Sequence, residues 1–445
     1  MRRAAPPGPG SEAAKARGFS GDRRGVVAVL VALALPVLVG SMGLAAEASY
    51  WYVHQHGMQN AADAAAIAAA TNGTSTYAAE AQAAAAQDGF RNGSGNITVP
   101  AIPSTGCSAL YPAANCYTVT VSDKVALFLS QVVGYKGTGG NGTTTLSATA
   151  VAATGKAYPY CILALSGGVT TDITSNGAPD ANLNGCNTMS NTGSTCNGGN
   201  LKANVGDAHG TNNGCGVIEN SNMPVVPDPY KYLASNIPVD TCGGKYPQET
   251  GKKNTVPASN QWNGTYTLSG YDVVCGDQKL TGPTYINAPS NAVLVIENGQ
   301  LDTNGLLFQT TPGSGLTIVF TGTNSSKYNY IPSGSGTLDI AAPTSGTWKG
   351  MALFQDPNLT DQPTNLNIKY SGNNPTWDIS GMVYLPNSSV TFSGAVNKAS
   401  NGLSCFGLTV GDITINGTAD ILSNTQCAAA GLDLPQGGNR GTLVN

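Results

Sequence analysis

The longest apolar run of the chain lies near its beginning and predicts a membrane-spanning helix. No charged residue occurs in Val26–Ala46, and about 20 apolar residues in a helix cross the roughly 30 Å hydrocarbon core of a bilayer. Tyr50, Trp51 and Tyr52 follow at the place where aromatic side chains gather at a membrane surface. Pro36 indicates a kink or a close helix contact, or it is filler that faces lipid.

Alanine dominates the stretch after the aromatic cluster and predicts that the same helix continues beyond the membrane. Alanine has the highest helix propensity, and only Gly57 interrupts Ala48–Ala70. A second helix is predicted at Tyr77–Phe90, after a short polar break. Small side chains would let the two helices pack closely as a hairpin.

A period of two residues replaces the helical pattern after Asn96 and predicts a small α+β domain. Apolar and polar residues alternate in Ile97–Val99, Tyr117–Val121 and Thr143–Ala153, which is typical of strands. The apolar patch Lys124–Val133 lies between the last two of these strands. Four of its side chains are expected in the core: Val125, Leu127, Phe128 and Leu129.

Short strands separated by Gly, Asn, Ser or Pro turns dominate the chain from Cys161 onward. Their spacing is irregular, at about 8–20 residues, whereas strands recur every 8–12 residues or so in a β-sandwich. We therefore predict a right-handed parallel β-helix (a solenoid), with a β-sandwich as the second choice. The predicted strands are Cys161–Leu165, Tyr285–Ile286, Val293–Ile296, Leu316–Phe320, Thr337–Ile340, Met351–Phe354, Asn365–Ile368, Gly381–Tyr384, Ser389–Phe392, Leu408–Val410 and Asp412–Ile415.

The predicted organisation is a transmembrane helix, a small α+β domain and then a mainly β region. The 445 residues suffice for two or three domains with their own cores. The predicted segments are a disordered cytoplasmic tail at 1–22, the transmembrane and juxtamembrane helix at 23–73, the α+β domain at 74–156, the β-solenoid at 157–430 and a C-terminal tail at 431–445.

The distribution of basic residues predicts the orientation of the anchor. Six basic residues precede the apolar run, Arg23 and Arg24 last among them, and no lysine or arginine follows it until Arg91. By the positive-inside rule this is a single-pass inner-membrane protein with a cytoplasmic N-terminus and the bulk of the chain periplasmic or extracellular. A cleaved signal peptide is the competing interpretation, because Ala46-Glu47-Ala48 fits the A-x-A pattern. Signal peptides, however, usually carry a shorter apolar region of about 7–15 residues.

Low charge argues against several kinds of partner. The net charge is −4 and charged residues make up 10% of the chain. No basic surface is expected that would bind nucleic acid. The abundance of Gly, Asn, Thr and Ser instead indicates β structure rich in turns.

The cysteines predict a set of disulfides. All ten follow the apolar run, in the compartment that the charge rule makes oxidising. Sequence alone does not fix the connectivity, but the shortest loops cost the least entropy. That rule gives the pairs Cys107–Cys116, Cys161–Cys186, Cys196–Cys215, Cys242–Cys275 and Cys405–Cys427. A zinc site is disfavoured, because no CxxC occurs and the only histidines are His54, His56 and His209, the first two expected to decorate the juxtamembrane helix.

Residues for catalysis or metal binding are sparse. Polysaccharide-cleaving enzymes need clustered carboxylates, and from Cys275 to Cys427 the acidic residues are scattered, with Asp356 and Asp361 as the candidates and solvated turns as the simpler interpretation. The stretch Asp180–Gly185 resembles half of a calcium loop but has Asn191 at the position of the closing Glu. We therefore predict no catalytic residue, no cofactor and no metal, and the sequence identifies no small-molecule substrate.

The N-terminal segment resembles the TadE/TadG-like proteins of the Flp, or tight-adherence, pilus assembly system. The resemblance rests on Arg24 and Gly25 before the apolar run and on the sequence WYVHQHGMQNAADAAAIAAA after it. The most specific part is its QNAAD motif, formed by Gln59, Asn60, Ala61, Ala62 and Asp63. Prepilin-like members carry a Glu five residues after the processing Gly, whereas this chain has Leu30, which favours a retained anchor over a processed pilin.

The second half of the chain also resembles the β-rich C-terminal regions attached to TadG-like anchors, which themselves resemble parallel β-helices. The stretches APTSGTWKGMALFQDP and DISGMVYLPNSSVTFSG carry this resemblance. It implies a non-enzymatic envelope protein that works in pilus assembly or surface adhesion, with the lipid bilayer and pilus-assembly components or envelope glycans as partners. The alternative is a carbohydrate-active β-helix enzyme on the same anchor.

Overall fold

The computed structural model divides into two compact units. The first unit is Met1–Lys156 with Asn439–Asn445, and the second is Ala157–Gly438. The residues described are 23–107, 114–138, 140–155, 158–165, 171–176, 186–199, 201–249, 255–324, 327–359, 367–370, 375–393, 403, 405–416, 426–438 and 440–444. The predicted tail at 1–22, the calcium-like stretch Asp180–Gly185 and Asp361 lie outside them.

The first unit begins with two helices. Helix α1 is Arg23–Asn72, an uninterrupted helix of 50 residues that contains Pro36, and helix α2 is Tyr77–Gln87. Gly73 ends α1 in the left-handed conformation (φ 59°) that glycine adopts without strain. Helix α2 ends before the predicted Phe90, because Gly89 also has a positive φ of 92°.

An antiparallel sheet of four strands completes the first unit. Its strands are β1 (Ala101–Thr105), β2 (Asn115–Ala126), β3 (Thr143–Gly155) and β24 (Arg440–Leu443), in the order β1-β2-β3-β24. The prediction of a C-terminal tail is wrong over β24, which pairs with β3. Only four residues long and without an alternating pattern, β24 acquires its conformation from the strand beside it.

The core of the first unit is built largely from alanine. Ala61, Ala65 and Ala69 of α1 are fully buried together with Ala81 of α2 and Val119 of β2. With no side-chain atom beyond Cβ, the alanines let two helices and a sheet approach closely. In the apolar patch Lys124–Val133, Val125 and Leu127 are buried as predicted. Phe128 and Leu129 are exposed, so the prediction that they lie in the core is wrong.

The second unit is mainly β. Its strands are β4 (Tyr160–Ala164), β5 (Thr171–Asn176), β6 (Asn187–Ser190), β7 (Gly193–Cys196), β8 (Val205–Ala208), β9 (Asn212–Asn213), β10 (Ile218–Asn220), β11 (Gln261–Thr267), β12 (Gly270–Cys275), β13 (Gln278–Asn287), β14 (Ala292–Glu297), β15 (Leu301–Asp302), β16 (Leu306–Thr310), β17 (Leu316–Thr321), β18 (Pro332–Ser333), β19 (Gly336–Ala341), β20 (Met351–Gln355), β21 (Asn367–Tyr370), β22 (Pro375–Ser393) and β23 (Phe406–Asn416). Short 3-10 helices occur at Ser130–Val133 in the first unit and at Lys231–Asn236 and Ala258–Asn260 in the second.

All pairings between the named strands of the second unit are parallel and form three ladders. The first ladder runs β12-β14-β17-β20-β22-β23-β4-β6-β8-β10. The second runs β11-β13-β16-β19-β22, with β15 and β18 extending from β13. The third runs β21-β22-β23-β5-β7-β9. One hydrophobic core contains residues of all three ladders, such as Ile318, Phe308 and Phe392.

The ladders do not follow chain order. Strand β4, the first strand of the unit, pairs with β23, the last, so the chain enters at an interior position of the first ladder. The chain then continues to β10, at one end of the first ladder. It resumes with β11 and β12, which are the end strands of the second ladder and of the opposite end of the first. Residues 221–249, here called the strap, belong to the connection between these two ends.

The strap covers the outward face of the first ladder. Its Tyr230 and Leu233 pack in a second core with Val295 and Phe354, whose side chains point away from the core that the ladders share. Tyr384 donates a hydrogen bond of 2.6 Å to the Asp228 carboxylate of the strap. The first ladder is therefore buried on both faces along the strap.

Five disulfides join all ten cysteines, and they are the five pairs that the shortest loops predict. They are Cys107–Cys116, Cys161–Cys186, Cys196–Cys215, Cys242–Cys275 and Cys405–Cys427. The first lies in the first unit and the other four lie in the second. Cys242–Cys275 joins the strap to the end of β12.

Candidate functional site

The first half of α1 exposes an apolar surface. Every large apolar side chain between Val27 and Met42 is more than half exposed, and none of the most apolar window of the helix is buried. An apolar face of this size in water would be a strong association site. The helix is long and apolar enough to cross a membrane, and the exposure suggests a single-pass anchor. Pro36 lies inside this part of the helix without ending it.

Glu47 marks the point where α1 passes from exposed to buried. Its carboxylate accepts hydrogen bonds from the backbone N–H groups of Phe128 (2.9 Å), Leu129 (2.9 Å) and Ser130 (2.7 Å). The Ser130 hydroxyl adds a fourth bond of 3.2 Å. Glu47 thus caps the short 3-10 helix at Ser130–Val133, and its charge is balanced by the unpaired amides at the start of that helix. The only sequence signal for this role is a single carboxylate directly after an apolar run.

The predicted aromatic cluster lies on the turn of α1 after Glu47. Tyr50 and Tyr52 are largely exposed, and Trp51 is partly buried, with its ring 6.3 Å from that of Tyr135. Tyr50 stacks on His54 with ring centres 5.7 Å apart, and Tyr52 meets His56 edge-on at 4.3 Å. Tyr50, Trp51 and Tyr52 therefore point in different directions from the helix, and of the three only Trp51 packs toward the rest of the first unit.

His54 fastens the juxtamembrane helix to the sheet. Its Nε2 lies 3.0 Å from Oδ2 of Asp123 in β2, and its ring packs edge-on against Phe90. The expectation that both histidines only decorate the helix is wrong for His54. A contact between residues 69 positions apart carries no signal in a local pattern.

The QNAAD motif combines packing with a side-chain hydrogen bond. Ala61 and Ala62 are fully buried against α2 and the sheet, and Asn60 is exposed. Gln59 donates to Asp63 (2.8 Å) and to the carbonyl oxygen of Thr149 in β3 (3.3 Å). The motif thus fixes the face that α1 presents to the sheet.

Arg23, Arg24 and Gly25 form the first residues of α1. Their place ahead of the exposed apolar surface is the one that the sequence predicts for the basic end of an anchor.

The second unit contains a compact ion cluster that the sequence pattern does not predict. Lys279 lies between two carboxylates, with its Nζ bonded to Glu249 and 3.0 Å from Oδ2 of Asp302. Asp277 accepts from the backbone N–H groups of Glu249 (2.8 Å) and Gln300 (3.1 Å). Burial raises the pKa of Asp277 and, with the nearby Asp302, that of Glu249. Glu249, which the strap supplies, precedes Cys275 and so lies outside the stretch in which the sequence predicts the candidate carboxylates.

Asp356, a predicted candidate for catalysis, is engaged in local structure. One of its carboxylate oxygens accepts from the Thr321 hydroxyl (2.8 Å) and the other from the Asn358 N–H (2.9 Å). This is the geometry of a turn-stabilising aspartate. Glu297, two strands away in the same ladder, is buried, and its pKa is raised to about 7, first by burial and then by the carboxylates of Asp240 and Asp356.

Comparison with known protein families gives a match over α1. Residues 25–72 match the family described as putative Flp pilus-assembly TadE/G-like. This confirms the resemblance of the N-terminal segment, and its end coincides with the end of α1 at Asn72. No curated protein and no solved structure is significantly similar to the chain.

Proposed function

We propose that this chain is a non-enzymatic, membrane-anchored envelope protein that works in Flp (tight-adherence) pilus assembly or surface adhesion. The observation that carries the proposal is the coincidence of the family match at 25–72 with α1. The first half of that helix is apolar and exposed, and the second half is the scaffold of a folded unit. In this proposal, the matched segment both anchors the chain in the membrane and forms part of the core of the first unit.

The charge distribution supports an inner-membrane location with the N-terminus in the cytoplasm. Basic residues precede the apolar run and are missing after it until Arg91, and positive charge is retained on the cytoplasmic side. Both units would then lie in the periplasm or outside the cell. That compartment is oxidising, which agrees with five disulfides.

A retained helix is favoured over a cleaved signal peptide. The Ala46-Glu47-Ala48 site lies inside α1, and the Glu47 carboxylate is held by three backbone N–H groups. A peptidase would have to unwind the helix and break these bonds to reach the peptide group. The region before Glu47 is also longer than a typical signal sequence.

The second unit is proposed to be a right-handed parallel β-helix. Support comes from the three parallel ladders and from the single core that contains residues of all of them. Parallel strands linked by crossover connections are right-handed in about 98% of cases, which supports the hand. An experimental structure with antiparallel pairing between Val293–Ile296 and Leu316–Phe320 would contradict it. Such a solenoid offers long exposed faces for pilus-assembly components or envelope glycans.

A polysaccharide-cleaving enzyme on the same anchor is the second candidate, and the cluster of Glu249, Lys279 and Asp302 favours it. Against it, both carboxylates are held in ion pairs with the Lys279 ammonium, so neither is free to act as a catalytic acid or base. Release of reducing ends from envelope glycans by the purified chain, abolished in Glu249→Gln, would establish the enzyme. An inactive, folded chain supports the first proposal.

The proposed function is tested by deleting the gene in its bacterial host and restoring it with variants of the anchor. We expect loss of surface pili or of adhesion on deletion, and recovery with the wild-type chain and with Leu35→Ala/Leu38→Ala. Leu35→Arg/Leu38→Arg should fail to restore either, because each arginine at a membrane helix centre costs about 2.5–3.5 kcal/mol. Normal piliation and adhesion in the deletion strain would refute the proposal.

A further inference from the structure

A second apolar surface lies in the first unit, on the loop between β2 and β3. In residues 128–135, here called the apolar loop, five large side chains are exposed: Phe128 (71%), Leu129 (45%), Val132 (82%), Val133 (64%) and Tyr135 (42%). No charged residue occurs between Lys124 and Lys136. Exposed clusters of this kind mark contact surfaces in soluble and membrane proteins alike.

The apolar loop lies beside the end of the predicted membrane span. Three of its backbone N–H groups bind the Glu47 carboxylate, which fixes the loop to α1 one residue after Val26–Ala46. The Leu129 side chain reaches further and lies against Gly43, so closely that a Cβ there would be 2.7 Å from Cδ1 of Leu129. Gly43 precedes Glu47 by one helical turn, or about 5–6 Å along the axis. Leu129 therefore extends alongside the span itself.

The backbone of the loop is hydrogen-bonded within the protein. Glu47 satisfies the first N–H groups, and Val132, Gly134 and Tyr135 donate to carbonyl oxygens of the loop itself. The Gln131 amide donates to the Leu127 carbonyl oxygen at 2.7 Å. Backbone groups at membrane depth must be paired internally, since the hydrocarbon offers no partner. Six of the eight N–H groups in residues 128–135 are paired in this way, while the apolar side chains are exposed.

We propose that the apolar loop enters the lipid bilayer beside α1, on the side of the membrane where the folded units lie. Phe128, Leu129, Val132 and Val133 contact acyl chains, and Tyr135 lies with the aromatic cluster at the interface. Lys124 and Lys136, both exposed, flank the loop where lipid phosphates would meet them. The proposal rests on the membrane anchor of the proposed function and adds a second lipid contact.

Lipid is the occupant because the loop is continuous with the surface of the anchor. A bilayer that covers α1 up to Ala46 reaches Leu129 at Gly43 without any rearrangement. Contact of both α1 and the apolar loop with lipid would also restrict the rotation of the helix. The tilt and rotation of a single helix are set by its interfacial anchors alone. A helix with an apolar loop on one side has one preferred rotation, so the first unit would hold a fixed orientation on the membrane.

Single thiols attached to an environment-sensitive fluorophore test the proposal in the full chain, reconstituted in phosphatidylcholine and phosphatidylglycerol vesicles. Since all ten native cysteines are paired, Val132→Cys provides a unique labelling site on an exposed side chain. Val39→Cys labels the span, and Ser75→Cys labels the exposed turn after α1, about 40 Å along the helix from Glu47. We expect blue-shifted emission, and loss of most of it to nitroxide-labelled lipids, at residues 39 and 132 but not at residue 75.

The outcomes separate the anchor from the loop. Quenching at residue 39 with a water-like signal at residue 132 would overturn the loop proposal and leave the anchor intact. A water-like signal at both would refute the anchor itself. A blue shift at residue 132 that depends on protein concentration and not on the lipid quencher would assign the surface to a second copy, which also overturns the proposal. In Glu47→Gln, with the loop released, quenching at residue 132 should decrease while quenching at residue 39 is unchanged.

Discussion

Glu297 shows how burial sets the chemistry of a single residue. It lies in β14 with only 2% of its surface exposed, and the carboxylates of Asp240 and Asp356 lie nearby. Burial first, and like charge second, raise its pKa from 4.5 to about 7. The folded chain therefore retains a proton on Glu297 over a pH range in which the unfolded chain releases it.

This retained proton predicts the pH dependence of stability. Between about pH 4.5 and 7 the folded state binds more protons than the unfolded state, so the free energy of unfolding decreases as pH rises through that window and levels off above it. The full shift corresponds to roughly 3 kcal/mol. In the full chain, we expect Glu297→Gln to reduce this slope, as measured by denaturant unfolding at pH 5 and pH 8, while Asp277 and Glu249, whose pKa values are also raised, account for the remainder.

Glu219→Gln is the matched control for that experiment. Glu219 is an exposed carboxylate of the same unit that accepts from the Gly214 N–H, and glutamine retains an acceptor oxygen. The control should keep the wild-type pH dependence. An unchanged slope in Glu297→Gln would show that another group carries it.

Glu47 illustrates what a local pattern does not reveal about a residue. Its sequence context fits a cleavage site, but its four hydrogen-bond donors come from residues 81 to 83 positions later. The same is true of His54, whose partner Asp123 is 69 positions away. Periodicity reports only on neighbours in the chain, so both roles become visible only in the fold.

The helices of the first unit were largely predictable, because alanine content and hydrophobic length are local properties. The sequence predicts α1 across 23–73 and the structure gives Arg23–Asn72. The prediction that Phe128 and Leu129 lie in the protein core fails for a physical reason. An apolar run indicates that its side chains avoid water, but it does not indicate which apolar environment they enter. Protein core and lipid produce the same pattern. The sequence pattern therefore predicts a core position for an apolar run between two strands.

The alanine packing of α2 gives a prediction at the level of the element. Ala81 is fully buried against α1, and Ala83, two residues later, is exposed. We expect Ala81→Leu to destabilise the first unit by about 1–3 kcal/mol, because the added carbons must displace close-packed helices. Thermal unfolding in detergent, followed by circular dichroism of the full chain, measures the change.

Ala83→Leu is the matched control on the same helix. Its side chain would extend into solvent, so we expect a change within about 0.5 kcal/mol. Equal effects of the two substitutions would indicate that helix propensity, and not close packing, determines the stability of this hairpin.

On the scale of the whole molecule, the order of the strands is the part that the sequence does not give. Most predicted strands after residue 280 exist, some of them merged into the long strands β22 and β23. The strands β5 to β10 were missed because they are rich in buried polar residues, such as Asp172, Ser190 and Ser194. The pairing of β23 with β4 and β5 joins distant positions, such as Leu408 with Ile162 and Asn416 with Asn176, and the last two are 240 residues apart.

The strap is what this strand order requires, since the chain must return from one end of the first ladder to the other. It is fastened by the Asn191 side chain, which exchanges two hydrogen bonds of 2.9 Å with Val226, and by Tyr384 at Asp228. At its far end the disulfide Cys242–Cys275 links the strap to β12. Glu249 then bonds to Lys279. The disulfide is thus the one covalent link along the strap.

We predict that Cys242→Ser/Cys275→Ser loosens this end of the strap without unfolding the ladders. Loss of a disulfide typically costs about 2–5 kcal/mol, here concentrated on a segment that also covers the core of Tyr230 and Phe354. Trypsin should cut after the exposed Lys245 faster in the double variant than in the wild-type chain, with the site identified by mass spectrometry. Cys107→Ser/Cys116→Ser, which removes the disulfide of the first unit, should leave that rate unchanged. If cleavage after Lys245 is no faster in Cys242→Ser/Cys275→Ser, the packing of Tyr230 and the Glu249–Lys279 ion pair are sufficient to hold the strap, and the disulfide is not its main restraint.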